Sequence, residues 1–270
     1  MATYKKRGYK VKTKEEKEKD VSAEQIDSTT AEVFNTLDET ASKTEEWVAG
    51  NQKYIFVGIG AIAVLLLGYL VYSKVFAAPK EAEAANEVFQ ANSYFNQAIN
   101  VNVNEEVVSG IATRDSLFTL ALNGGDGKYG YLNIIANYSG TNAANLANYS
   151  AGIAYLNLNK YDLAIKHLQD FSSDDIIIGA KAKGAIGDAF AQLGQSDQAL
   201  EYYEKAFKHS KNDATTPMYL LKAGITALDL GKASKALEYF NRIENEYASF
   251  QNTADGKMLP VYIGKAEALK

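Results

Sequence analysis

The segment GDAFAQLGQSDQALEYYEKAF, at residues 187–207, decides how this chain folds, because two further segments align with it. These are GIAYLNLNKYDLAIKHLQDF at 152–171 and GITALDLGKASKALEYFNRI at 224–243, and their opening glycines are spaced 35 and then 37 residues apart. In each segment an alanine follows the glycine by twelve positions, and a large apolar residue follows that alanine by four. The repeat landmarks are Gly152, Ala164, Gly187, Ala199, Gly224 and Ala236, with Leu168, Tyr203 and Phe240 as the large residues.

This spacing predicts a pair of helices joined by a short turn in each segment. A glycine on the first helix and an alanine on the second allow the two backbones to approach closely. The large residues then pack against the neighbouring pair, so that no unit buries its apolar face alone. The turns fall at Asn159, Gly194 and Gly231, directly after a leucine in every case.

The three segments resemble the tetratricopeptide repeat, a helix–turn–helix unit that stacks into a solenoid. The resemblance covers about residues 142–250 and implies an all-α fold. The chain departs from the family pattern in its longer spacing and at the position where the family usually has tryptophan. That position is occupied by Asn148, Lys183 and Leu220.

The rest of residues 79–270 is also predicted to be helical, and no alternating strand pattern persists in this region. We divide it into irregular N-terminal helices at 79–140, including EAEAANEVFQANSYFNQAI at 81–99, and repeats with a closing helix at 141–270. Ala82, Ala85, Phe89, Phe95 and Ile99 are the residues expected to pack from the 81–99 helix. VNVNEEVV at 101–108 is interpreted as a linker, and Gly124 to Gly127 as a turn.

Residues 54–73, YIFVGIGAIAVLLLGYLVYS, contain no charge and are flanked by Lys53 and Lys74. A helix of this length spans the hydrocarbon core of a bilayer, about 30 Å. Tyrosines near both ends suit the headgroup level. We therefore predict a transmembrane helix at 54–76 that contacts lipid. A cleaved signal is the alternative, but 53 residues precede the segment and its apolar core is too long for one.

The N-terminal flank predicts the orientation of this helix. Residues 1–29 are highly charged and are expected to form a disordered cytoplasmic tail, although the basic head could contact lipid, the ribosome or nucleic acid. Residues 30–53 are predicted to form an amphipathic helix with an acidic polar face, which favours a protein partner over the lipid surface. Short flanks rich in Lys and Arg stay in the cytoplasm, so residues 79–270 are expected outside.

The order of these parts resembles single-span bacterial inner-membrane proteins that are ancillary subunits of the Sec translocon. The stretch GYLNIIANYSGTNAANLANYSAGIAYLNL, residues 130–158, shares a helix–Gly–Thr–helix joint with them. The resemblance implies a periplasmic repeat domain and a scaffold or chaperone-like role. Its implied partners are translocon subunits and exported or envelope proteins. A structural scaffold of another envelope complex, without client handling, is the alternative.

Composition argues against several kinds of chemistry. The chain has no cysteine, which rules out disulfides and thiolate metal sites, and its net charge of −5 argues against nucleic-acid binding. The two histidines, His167 and His209, have no further ligand at metal-binding spacing. No phosphate-binding, nucleophile-elbow or zinc-protease motif occurs. We expect no catalytic residue, no cofactor, no metal and no small-molecule substrate.

A groove for protein partners is the remaining candidate site. In tetratricopeptide arrays the first helix of each pair lines a concave surface at fixed positions around the glycine. The resemblance transfers that role to Tyr149, Ile153, Leu156 and Asn157; Gly184, Asp188, Ala191 and Gln192; and Leu221, Ile225, Leu228 and Asp229. These positions carry no lysine, so we expect an apolar, weakly acidic groove suited to a hydrophobic segment rather than an acidic tail.

Overall fold

The computed structural model describes residues 44–101 and 107–270, and the described residues fall into two compact units, divided between Val71 and Tyr72. The predicted tail at 1–29 and the 30–43 part of the predicted amphipathic helix lie outside the described residues. Each unit is therefore considered separately.

Helix α1 occupies residues 44–72, and all of it except Tyr72 belongs to the first unit. It is part of the helix Thr44–Ile99. Among the described residues, this is the helix whose length and apolar composition would allow it to cross a membrane. Its most apolar 18-residue window has a mean hydropathy of 2.4, and none of the residues in that window is buried. Apart from Ile55, which is half-buried, the apolar side chains between Tyr54 and Tyr72 are therefore exposed on every side of the helix.

The second unit begins with a π-helical stretch, Ser73–Ala77, followed by α2, Ala78–Ile99. The N–H of Ala78 donates to the carbonyl of Ser73, which is the wider i to i−5 bond of a π-helix. Pro79, at the start of α2, lacks an N–H, and its ring crowds the carbonyl four residues earlier. The wider turn makes room for that ring, so the proline does not end the helix.

The remaining elements of the described chain are almost all helical. They are α3 (Val107–Asn123), α4 (Tyr131–Asn137), α5 (Asn142–Asn157), α6 (Tyr161–Asp170), α7 (Ile178–Gln192), α8 (Ser196–His209), α9 (Thr216–Asp229), α10 (Ala233–Glu246) and α11 (Leu259–Ala268). Short 3₁₀ turns at Ala248–Asn252 and Gly256–Met258 precede α11. The predicted all-α, tetratricopeptide-like solenoid is confirmed.

A small hairpin interrupts the helices. Strands β1 (Gly124–Gly125) and β2 (Lys128–Tyr129) pair antiparallel, with Gly124 opposite Tyr129. The predicted turn at Gly124 to Gly127 thus lies within a hairpin, and Tyr129 is in a strand rather than in the helix predicted there. Val107 and Val108, predicted as part of a linker, begin α3 instead.

The three repeats are α5–α6, α7–α8 and α9–α10, and their turns are built in the same way. Gly194 and Gly231 have φ of 71°, and Asn159 has φ of 57°, so each turn contains one left-handed residue. The N–H of the next residue donates to a carbonyl five positions back: Lys160 to Tyr155, Gln195 to Phe190 and Lys232 to Ala227. This is the Schellman arrangement that ends a helix and reverses the chain.

Close helix contact within each repeat depends on the glycines. A Cβ added to Gly152 would lie 2.5 Å from Cγ of Leu168, and one added to Gly187 would lie 2.6 Å from the ring of Tyr203. At Gly224 an added Cβ would overlap the ring of Phe240. The large residue four positions after each alanine therefore packs onto the glycine of its own repeat, rather than only against the neighbouring pair.

Helix α2 covers the open end of the array. Glu81 accepts from the N–H groups of Asn142 (2.7 Å) and Ala143 (3.1 Å), so a side chain of α2 caps α5. The packing face of α2 consists of Ala84, Val88, Ala91, Tyr94 and Ala98. The predicted face was wrong except for Phe95, which is half-buried, and Phe89 is 73% exposed. Small residues prevail on this face because they let the helices approach closely.

Candidate partner-binding groove

The predicted groove consists of positions on α5, α7 and α9, and the structure divides them into three groups by exposure. Gln192 and Asp229 are exposed, as is Ala191. A half-buried group lies along all three helices: Tyr149, Ile153, Leu156, Asn157, Asp188 and Ile225. The third group, Leu221, Leu228 and Gly184, is buried. Only the first two groups can contact a partner without repacking of the helices.

Leu221 and Leu228 correct the prediction for α9. Each is only 6% exposed, and both belong to a core cluster with residues of α8, α10 and α11. A side chain that is enclosed by its neighbours cannot also contact a ligand. Gly184 is likewise covered, because an added Cβ would overlap the ring of Tyr219. Ile225 is the one apolar groove position on α9 that stays half-buried.

The α5 part of the groove is apolar and partly packed. Tyr149, Ile153 and Leu156 contact the core cluster formed by α6 and α7. The ring of Tyr149 lies 5.2 Å from that of Phe171, at a tilt of 48°. The Asn157 amide donates to the carbonyl of Ile153, four residues earlier, at 2.9 Å. The predicted groove positions of α5 are therefore three half-buried apolar side chains followed by the amide of Asn157.

An ion pair lies at one of the predicted groove positions, Asp188. Oδ1 of Asp188 accepts from Nζ of Lys222 at 2.6 Å and from the hydroxyl of Tyr203 at 2.8 Å. Lys222 Nζ also lies 5.7 Å from the centre of the Tyr203 ring, within cation–π range. These contacts connect α7, α8 and α9. Because Lys222 pairs with Asp188, the expected acidic character is reduced here.

The tyrosines beneath this ion pair are held neutral. Burial raises the pKa of Tyr203, and the nearby charge of Asp188 raises it further. Burial also raises the pKa of Tyr219, again with a contribution from Asp188. Both phenols therefore stay protonated at physiological pH, and Tyr203 acts as a donor to the carboxylate.

Sequence reasoning missed Lys222, because the positions transferred from the resemblance did not include it. A usable signal was nevertheless present: Lys222 follows Asp188 by 34 residues, close to one repeat length, so that stacking brings the two side chains to neighbouring helices. Opposite charges one repeat apart are a pattern that can be searched for directly.

Within the described ranges 44–101 and 107–270, no group of three or more His, Asp or Glu side chains is arranged to hold a metal ion. His167 contacts Oδ1 of Asn148 at 2.9 Å and stacks on Tyr155. Burial lowers the pKa of His167, which is half-buried.

Comparison with known proteins agrees with this geometry. A tetratricopeptide-repeat family profile matches twice, at residues 149–213 and at 185–249. Each match spans two adjacent helix pairs, and together they cover α5 to α10. No curated protein matched the chain. Residues 149–249 are thus similar in sequence to the tetratricopeptide repeat, a non-catalytic protein-interaction scaffold, and have its helical-hairpin arrangement.

Proposed function

We propose that this protein is a membrane-anchored scaffold whose repeat array binds a segment of a partner protein. The observation that carries the proposal is the repeat match at 149–249, combined with the row of accessible side chains on α5, α7 and α9. The proposed role is to bind a partner and to position it.

The groove residues define the chemistry of that partner. Half-buried apolar side chains on α5 suit one or two hydrophobic anchors in the bound segment. Asn157 and Gln192 can pair with backbone or polar groups, and the Asp188–Lys222 pair offers one charge of each sign. We therefore propose a partner segment with apolar residues at one end and polar residues at the other. A uniformly hydrophobic segment fits less well, because Leu221 and Leu228 are buried.

The membrane anchor is proposed from residues 54–76. A helix that is apolar on every side must be covered, either by protein or by lipid. Among the described residues no side chain covers its most apolar window. We propose that lipid does so, with the N-terminus in the cytoplasm and residues 79–270 in the periplasm of a bacterial inner membrane, following the basic flank.

The proposed setting is the Sec translocon, with translocon subunits or exported proteins as partners. It is supported by the order of the parts and by the similarity at residues 130–158. The second candidate is a structural scaffold of another envelope complex, concerned with division, secretion or outer-membrane assembly. The second candidate predicts one fixed partner in stoichiometric amounts, whereas an accessory that handles clients binds many.

Site-specific photo-crosslinking in cells tests the proposal. A crosslinker placed at Gln192, in the groove on α7, should capture a translocon subunit or exported proteins. The matched control is Gln198 on α8, which is also an exposed glutamine but lies outside the predicted groove positions. Capture of a single envelope protein would favour the second candidate. Equal crosslinking at both positions, or recovery of no envelope protein at Gln192, would contradict the groove.

A further inference from the structure

A second concave site lies on the other side of α7. It is a cavity of about 380 Å³ between the end of α6, the connection to α7, and helices α7 and α8. Gly179, Lys183 and Ile186 line it from α7, three or four residues apart and therefore on one face of that helix. Asp188 lies roughly opposite that face. The cavity is thus separate from the predicted groove and independent of the proposed function.

Lys183 is the lysine of this cavity lining that has no carboxylate partner among the described residues. Its Nζ contacts Nδ1 of His209 at 3.1 Å and the carbonyl of Gly179 at 3.4 Å. A lysine ammonium has three donors, so one remains for a ligand. Among the described residues no carboxylate oxygen lies within 4 Å of it, whereas Lys205, also in the lining, pairs with Glu201 at 2.6 Å.

The equivalent positions of the other repeats hold uncharged residues, Leu220 and Asn148. Leu220, at the same position of the third repeat, is fully buried in the core. Asn148, in the first repeat, contacts His167. Burial lowers the pKa of Lys183, with the charge of Asp174 acting in the opposite direction. A bound anion would favour the charged ammonium in the same way as Asp174 does.

The wall of the cavity around Lys183 is firmly held. His209 Nε2 lies 3.0 Å from the carbonyl of Asp175, which can only accept, so this nitrogen carries the proton. Nδ1 is then the acceptor for Lys183. Ser210 Oγ donates to the carbonyl of Ile176 at 2.7 Å, and so also fixes the connection between α6 and α7. A fixed wall reduces the ordering cost of binding.

A neutral donor, the hydroxyl of Tyr202, also lies in the cavity lining. The amide of Gln169 donates to the hydroxyl oxygen of Tyr202 at 2.9 Å, which leaves the Tyr202 proton available. The carboxylate in the lining is Asp174, which is exposed at the rim. An ammonium with a free donor, a phenol proton and a pre-formed concave wall are groups suited to one small negatively charged group.

We propose that this cavity binds a single oxyanion, a carboxylate or phosphate group, through Lys183. The group could come from a free anion in solution or from an acidic side chain of a bound polypeptide. The two sources share the chemistry that Lys183 recognises, and the experiment below distinguishes them. In either case the negative charge of Asp174, which acts on Lys183 from a distance, opposes the binding of the anion.

The test uses the purified full-length chain in detergent at low salt. Inorganic phosphate and a hexaglutamate peptide are titrated separately, with hexaglutamine as the uncharged control. NMR signals of the Lys183 side chain and the His209 ring report on binding in the cavity. Lys183→Met should weaken binding by about tenfold or more, the value of one charged hydrogen bond. The control Lys181→Met, an exposed lysine outside the cavity lining, should leave the affinity unchanged.

Each outcome decides the proposal. A response to phosphate that is lost in Lys183→Met supports it with a free anion as ligand. A response to hexaglutamate alone, lost in the same variant, supports it with an acidic polypeptide. No response to either probe, or an undiminished response in Lys183→Met, overturns it. If Lys183→Met does not fold, Asp174→Asn decides: tighter binding supports the proposal, and unchanged affinity overturns it.

Discussion

Nζ of Lys222 on α9 lies 2.6 Å from Oδ1 of Asp188 on α7, so one ion pair joins the first helices of two consecutive repeats. The same oxygen accepts a hydrogen bond from the hydroxyl of Tyr203 on α8. Nearest-neighbour contacts of this kind are what couple the units of a repeat protein. Neither side chain is deeply buried, so the pair is partly screened by water.

A double-mutant cycle measures this coupling. Asp188→Asn, Lys222→Met and the double variant are compared by urea unfolding, followed by circular dichroism. We expect a coupling free energy of about 0.5–1 kcal/mol, because the pair is more than a third exposed on one side. Additive effects of the two single changes would show that the pair contributes no coupling between the repeats.

Gly187 should not tolerate a methyl group. Gly187→Ala places a Cβ 2.6 Å from the Tyr203 ring, and overpacking of this kind costs about 1–3 kcal/mol of stability. Gly264→Ala in α11 is the control, since nothing lies within 4 Å of an added Cβ there. Helix propensity predicts that this control stabilises by up to about 1 kcal/mol. Equal urea midpoints for the two variants would contradict the close contact within the second repeat.

Core and surface positions of the predicted groove should respond differently to charge. Leu228→Asp buries a carboxylate without a partner, so we expect a loss of several kcal/mol and a collapse in thermal melting. Asp229→Arg, one position later and exposed, should leave the melting temperature within a few degrees while weakening partner capture. A Leu228→Asp variant that stays folded but no longer binds the partner would show that Leu228 contacts the partner.

His167 should make stability depend on pH. Burial holds its pKa below the usual value in the folded chain, so the unfolded chain takes up the proton first as pH falls. The contribution of His167 to the free energy of unfolding is therefore complete above about pH 6.5. It is lost as the pH falls below that value toward the lower pKa of the folded chain. Urea midpoints measured on both sides of this range should decline less in His167→Gln than in the unchanged chain. If the urea midpoints of the variant and of the unchanged chain decline equally, groups other than His167 cause the pH dependence.

The proposed topology can be examined separately from partner binding. A chain without residues 54–76 should move from the membrane fraction to the soluble fraction, because the apolar helix then no longer needs lipid. A reporter fused after Lys270 that works only in the periplasm should be active. Activity of a cytoplasm-specific reporter at the same position would reverse the proposed orientation.

The amino-acid sequence alone determined the helical repeat and the single long apolar helix. Both are periodic or compositional features within one stretch of chain: glycine and alanine at fixed spacing, and twenty uncharged residues in a row. The turn residues Asn159, Gly194 and Gly231 could be placed for the same reason, since a helix pair needs a left-handed residue where the chain reverses.

Only the tertiary structure decided which side chains of each helix remain accessible. Helical periodicity assigns Leu228 and Asp229 to neighbouring positions of α9, but the packing of α8, α10 and α11 around that helix buries the first and exposes the second. The Asp188–Lys222 pair and the Lys183–His209 contact likewise join residues 34 and 26 positions apart. Such contacts depend on how closely the helices approach. That distance is set by side chains of several helices together, such as Gly184 beneath Tyr219, and not by the pattern of any one of them.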